Sequence, residues 1–117
     1  MNTLIWVLCC MSLLSPICGD INSAVVSEYD NVLSVDTLEY DGNIVVAVRT
    51  EPFFTRSSKE EFVDNVSNFL TQKFCINREN ISVTFDVDAI YNIRHISSKE
   101  DIQKVYSEIC KKNQKNY

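Results

Sequence analysis

The sequence predicts a small α+β domain, a three-stranded sheet built from a hairpin plus a crossover strand (a ββαβ core) and packed with two to three helices. Three observations carry that prediction. Asp41-Gly42 separates two β-rich runs, and such a pair is a strong hairpin signal because a type I′ turn needs positive φ at both central positions. Residues 80–87 alternate apolar and polar side chains, the mark of a strand buried on one face. Between the hairpin and that strand, and again after it, apolar residues recur at helical spacing behind a Ser-Ser-Lys-Glu start.

Residues 1–19 contain no charged side chain. The apolar run from Leu4 to Leu14 fits an export signal and falls short of the roughly 20 residues that cross a bilayer as a helix. The expected organisation is an export signal over 1–19, a single α+β domain over 20–112 and a polar tail over 113–117. The cut is open between two positions. Cys18-Gly19-Asp20 looks like the start of a mature lipoprotein, which makes Cys18 a candidate lipidation site. Cleavage after Gly19 is the alternative, and an uncleaved membrane anchor is a third reading.

Residues 21–32 carry a weak helical signal leading into the hairpin. In the first strand Leu33, Val35, Thr37 and Glu39 fall on one face and Ser34, Asp36, Leu38 and Tyr40 on the other. Neither face is cleanly apolar, as suits a strand at the rim of a sheet. The second strand, 44–48, is apolar throughout, so it wants cover on both faces or a central place. Pro52 ends it, having no N–H for the ladder. Phe53 and Phe54 follow; they either cap the core or form an exposed contact site.

Ser58 and Glu61 have capping-box spacing, and Phe62, Val66, Phe69, Leu70 and Phe74 form one apolar stripe behind them. Asn77 is a candidate for the helix exit. In the third strand Ile81, Val83, Phe85 and Val87 share a face, after which Asp88 can cap a short helix over 89–96. The final helix follows Ser97-Ser98 with Ile102, Val105, Tyr106, Ile109 and Cys110 as its stripe. A right-handed crossover makes strands two and three parallel. Two strand orders remain open: 2-1-3, which shortens the crossover, and 1-2-3, which centres the apolar strand.

The charge balance bears on partners. The whole net charge of −5 lies in residues 20–117, which disfavours nucleic acid and anionic headgroups, and no basic surface interleaved with aromatics stands out. No nucleophile constellation or zinc spacing is present, and two glycines in total leave no phosphate loop. No cofactor or metal is expected. His95 reads as a surface or cap histidine, and Asp86 with Asp88 as a solvent-facing residue and an N-cap, although such a pair could hold a hard cation. Cys75 and Cys110 are open between a disulfide, which export would permit, and two buried thiols. Asn65-Val66-Ser67 and Asn80-Ile81-Ser82 fit the N-glycosylation pattern, relevant in a eukaryotic or viral source.

Residues 31–49, a strand, a Gly-Asn turn and then Ile-Val-Val-Ala-Val, resemble the core of the YhcN/YlaJ family of sporulation lipoproteins. Asn80-Ile81-Ser82-Val83-Thr84 followed by Asp88-Ala89-Ile90 is similar to that family's second signature, a strand leading through Asp into a short helix. The resemblance implies a non-enzymatic, lipid-anchored protein at the inner membrane or cortex of a bacterial spore, with Cys18 bearing the lipid. It also implies a role in spore formation, outgrowth or germination, through an unidentified protein partner. The alternatives are a soluble secreted interaction module of a eukaryote or virus, and a small enzyme or metal binder using Asp86, Asp88, Cys75 or His95.

Overall fold

The strand that is apolar at every position lies at the centre. The computed structural model describes residues 16–53 and 55–115. The elements are α1 (Pro16–Glu28), β1 (Val32–Tyr40), β2 (Asn43–Thr50), α2 (Arg56–Phe74), a 3₁₀ turn (Arg78–Asn80), β3 (Ile81–Thr84), α3 (Val87–Arg94) and α4 (Lys99–Lys115). The sheet order is β1-β2-β3, the second of the two orders the sequence left open. β1 and β2 are antiparallel, with Leu38 opposite Val45 and Thr37 opposite Val46. β2 and β3 are parallel, with Ile44 beside Ile81 and Ala47 beside Thr84.

Helices cover both faces, which is why β2 has no polar position from 44 to 48. On one face Ile44, Val46 and Val48 join Val35, Ile21 and Val25 of α1, and Phe62, Val66 and Leu70 of α2. On the other, Val45 and Ala47 join Leu38, Ala89, Ile90 and Ile93 of α3, and Val105 and Ile109 of α4. Burying a side chain of this kind contributes about 1.5–3 kcal/mol, so the strand the whole chain packs against also stabilises it most.

The hairpin turn is as expected, with Asp41 at φ 52° and Gly42 at φ 79°. β1 departs from strict alternation. A bulge lies between Val32 and Ser34, so Val32 is buried with Val35 while Leu33, which strict alternation puts on the same face as Val35, is 54% exposed. One extra residue turns the first part of the strand over.

Several boundaries are corrected. α1 begins at Pro16 and so crosses the expected domain start at residue 20. Its Ile17, Ile21 and Val25 recur at helical spacing and seat it on the sheet. Residues 1–15, where the export signal is expected, and Phe54 lie outside the described residues. α2 starts one turn before the Ser58 cap. Thr55 is its N-cap, with extended backbone and a hydroxyl accepting the Ser58 N–H at 3.0 Å. The helix leaves through Cys75, at φ 57°, not Asn77. β3 stops at Thr84, and Asp86, not Asp88, caps α3 by accepting the Asp88 N–H at 3.1 Å. Val87 therefore falls in the first turn of a helix and is 75% exposed. α4 runs on to Lys115, into the segment expected as a tail.

Candidate functional site

The crevice at the carboxyl ends of β2 and β3 follows from the topology. α2 leaves β2 for one face of the sheet and α3 leaves β3 for the other. Where helices diverge from adjacent parallel strands, the strand ends are left uncovered. Here they bound an open groove of about 1250 Å³. Val48, Arg49 and Thr50 end β2 on its floor, and the loop Glu51-Pro52-Phe53 forms one wall. Arg56 and Lys59 reach it from the first turn of α2, and Tyr91, Arg94 and His95 from the last turn of α3.

The groove is cationic in an acidic protein. Four Arg or Lys line it against one carboxylate, Glu51. Arg94 is committed: its Nε donates to Asp36 Oδ2 at 2.9 Å and its guanidinium to Ser34 Oγ at 3.2 Å. The other three are not. Among the described residues the Arg49 side chain has no hydrogen bond or ion pair, and the Arg56 side chain has only Glu60 at 3.7 Å, with both side chains of that pair exposed. Lys59 sits over the Phe85 ring, 4.9 Å from its centroid. A basic patch interleaved with aromatics, not apparent along the chain, is assembled by the fold.

Aromatic rings complete it. Phe53 is half-buried against Phe62 and Phe85 at 5.4 and 5.6 Å, so it caps the core while its free edge lines the groove. Tyr91 is 61% exposed and stacks on His95 with centroids 4.0 Å apart. His95 Nδ1 also lies 2.8 Å from the Tyr91 carbonyl oxygen. The histidine is the helix cap the sequence suggested, and it stiffens a flat platform at the groove mouth.

The remaining candidates are dispersed. Asp86 and Asp88 do converge, but on Lys112, whose Nζ lies 2.9 and 2.8 Å from their oxygens. Hydrogen bonds to Asp88 and then Asp86 raise the Lys112 pKa above the usual amine value, so the amine occupies the space a cation would take. Among the described residues no group of three or more His, Cys, Asp or Glu could hold a metal ion.

Cys75 and Cys110 are both free thiols. Cys75 is exposed at the end of α2, which packs on one face of the sheet, and Cys110 belongs to α4 on the other. The bridge is not formed in this structure, and the αL exit from α2 leaves Cys75 exposed. Cys110 packs beside Tyr106, whose pKa is raised by burial first and by the Cys110 side chain next.

Cys18 is only 2% exposed, so its sulfur is closed off from solvent in this arrangement of α1. Asn65 is exposed on α2, while Asn80 is half-buried where the 3₁₀ turn meets β3. Among the described residues no helix is long and apolar enough to cross a membrane.

Comparison with known proteins returned no matching family model, no matching curated protein and no matching solved structure.

Proposed function

We propose that the protein is a non-enzymatic, exported module of an endospore-forming bacterium that works by binding through the groove at the ends of β2 and β3. Its role lies in spore formation, outgrowth or germination, at the outer face of a membrane. The observation that carries the binding half is the groove itself, where three exposed cations and an aromatic platform meet in a chain of net charge −5. The nucleophiles and bases lie elsewhere or are engaged: His95 is tied to Tyr91, Asp86 and Asp88 to Lys112, and Cys75 and Cys110 belong to helices on opposite faces of the sheet. The uncharged first 19 residues support export, and the resemblance of 31–49 and 80–90 to sporulation lipoproteins supports the setting.

The two segments of that resemblance, 31–49 and 80–90, meet where β2 of the first pairs with β3 of the second. That is the arrangement a shared core would need. The buried Cys18 weighs against lipid on that residue, so membrane association falls to the N-terminal segment or to the partner. Fractionation of the producing cell through sporulation, with mass spectrometry of the mature N-terminus, tests this reading. Appearance of an exported form at the spore stage is expected; a cytoplasmic, constitutively made chain with intact Met1 would overturn it.

A further inference from the structure

We infer that the groove is a binding site for an aromatic anion, a ligand carrying a phosphate or carboxylate group on a flat ring. The inference rests on the reading of the groove as the working surface, but not on export or on the source of the protein.

The charge half of the argument is one of imbalance. The chain has 16 acidic and 11 basic side chains, so an even spread would make most surface acidic. Arg49, Arg56 and Lys59 nevertheless open on the same cavity, with Glu51 the single carboxylate on its lining. Exposed like charges brought together raise the energy of the empty site, and a bound anion relieves this repulsion. The guanidinium groups of Arg49 and Arg56 present planar forks suited to paired oxygens, which phosphate and carboxylate both offer. Arg94 differs, being held by Asp36 and Ser34, so it shapes the wall.

The ring half comes from α3. Tyr91 leaves most of its surface open although it stacks on His95, and exposed Val87, one helical turn before it, lines the same cavity; contiguous exposed apolar surface marks interaction sites. The Tyr91 ring, Pro52 and Phe53 line the same cavity as the cations. A flat group stacked on Tyr91 would stand beside the charges, and offset or edge contacts between rings are favourable beyond their buried area. The volume of about 1250 Å³ exceeds what a bare phosphate fills, which again favours a ligand with a body.

The test is a residue-resolved NMR titration of the full-length chain with four probes: phenyl phosphate, benzoate, inorganic phosphate and phenol. Phenyl phosphate or benzoate is expected to saturate, moving the resonances of Arg49, Lys59, Tyr91 and His95. Whichever of the two binds more tightly identifies the anionic group. Phosphate and phenol should each bind several-fold more weakly, since each keeps half of the recognition. Arg49→Glu with Lys59→Glu should weaken the better probe about tenfold or more, as expected for lost charge-assisted bonds. Both side chains are exposed, so an unchanged circular dichroism spectrum controls for folding.

Binding of inorganic phosphate as tight as that of phenyl phosphate would overturn the ring half. Equal binding of phenol would overturn the anion half. Absence of saturable shifts with either aromatic anion, or shifts unaffected by the double charge reversal, would overturn the whole. None of these outcomes depends on where the cell places the protein, so failure of the ligand assignment is distinguishable from failure of the export reading.

Discussion

Ile21→Ala tests whether residues 16–28 belong to the fold. Ile21 is fully buried, one helical turn from Ile17 and one from Val25, and its side chain meets the sheet face formed by Val35, Val46 and Val48. Truncation removes three carbons from a close-packed site and leaves a cavity, because β1 and α2 on either side cannot close in. Losses for such changes run about 2–5 kcal/mol. The upper part of that range applies when surroundings are rigid, and here the floor is a hydrogen-bonded sheet. For a domain near 100 residues each kcal/mol shifts the midpoint by about 4–8 °C, so a fall of at least 8 °C is expected. Thermal unfolding of the full chain, followed by circular dichroism, reads the midpoint, and urea unfolding reads the free energy. A change below about 0.5 kcal/mol, the usual size for exposed positions, would refute the placement of α1 against the sheet.

Further outcomes follow from other contacts. Thr37→Val keeps the shape of a fully buried β1 residue but removes the hydroxyl that donates to Asn22 Oδ1 at 2.6 Å; a loss near 1 kcal/mol is expected in the same unfolding assay. Gly42→Ala meets nothing within 4 Å, yet φ is 79°, so backbone strain alone should cost about 1–2 kcal/mol. Thiol labelling should modify Cys75 at once and Cys18 only on unfolding, and nonreducing electrophoresis should show no Cys75–Cys110 bridge. The Asp101 carboxyl accepts the Ser97 N–H at 3.1 Å and the Ser97 hydroxyl at 2.9 Å. These bonds hold its pKa below the usual carboxylate value. Its contribution is therefore full above the unfolded-state pKa and is lost as pH falls through the lower folded value. Asp101→Asn should abolish that part of the acid sensitivity, measured as midpoint against pH.

Periodicity and turn chemistry made the sheet legible. Asp41-Gly42, the uninterrupted 44–48 run and the Phe62-Val66-Leu70 stripe each report a local backbone state or a single buried face, and such signals survive in sequence. Sheet order was less legible because two effects competed: the uniform apolarity of β2 prevailed over the shorter crossover. The caps at Thr55 and Asp86 were missed because several Ser, Thr and Asp residues stand within one turn of each helix start, and chain direction out of the strand chooses among them. The separation of Leu33 from Val35 was not legible because a bulge inverts facing without leaving a pattern.

The groove was the least legible feature. Arg49, Arg56 and Lys59 lie within eleven positions around Pro52, a local basic cluster in an acidic chain, and that was the one available signal. Tyr91 and His95 come from a helix more than thirty positions on, and only the divergence of α2 and α3 brings them together. The apparent carboxylate pair failed for the converse reason, since Lys112 arrives from the far end of α4.

Complementation with groove variants addresses the central claim most directly. In the producing organism, a strain lacking the protein is expected to show a defect in spore formation, outgrowth or germination that the wild-type chain repairs. At equal abundance, Arg49→Glu with Lys59→Glu should fail to repair it, while Cys75→Ser, Cys110→Ser and Asp88→Asn should each repair it fully. Repair by the charge-reversed chain, or failure of a thiol or carboxylate variant that is folded and present, would contradict a protein that works by binding through this groove.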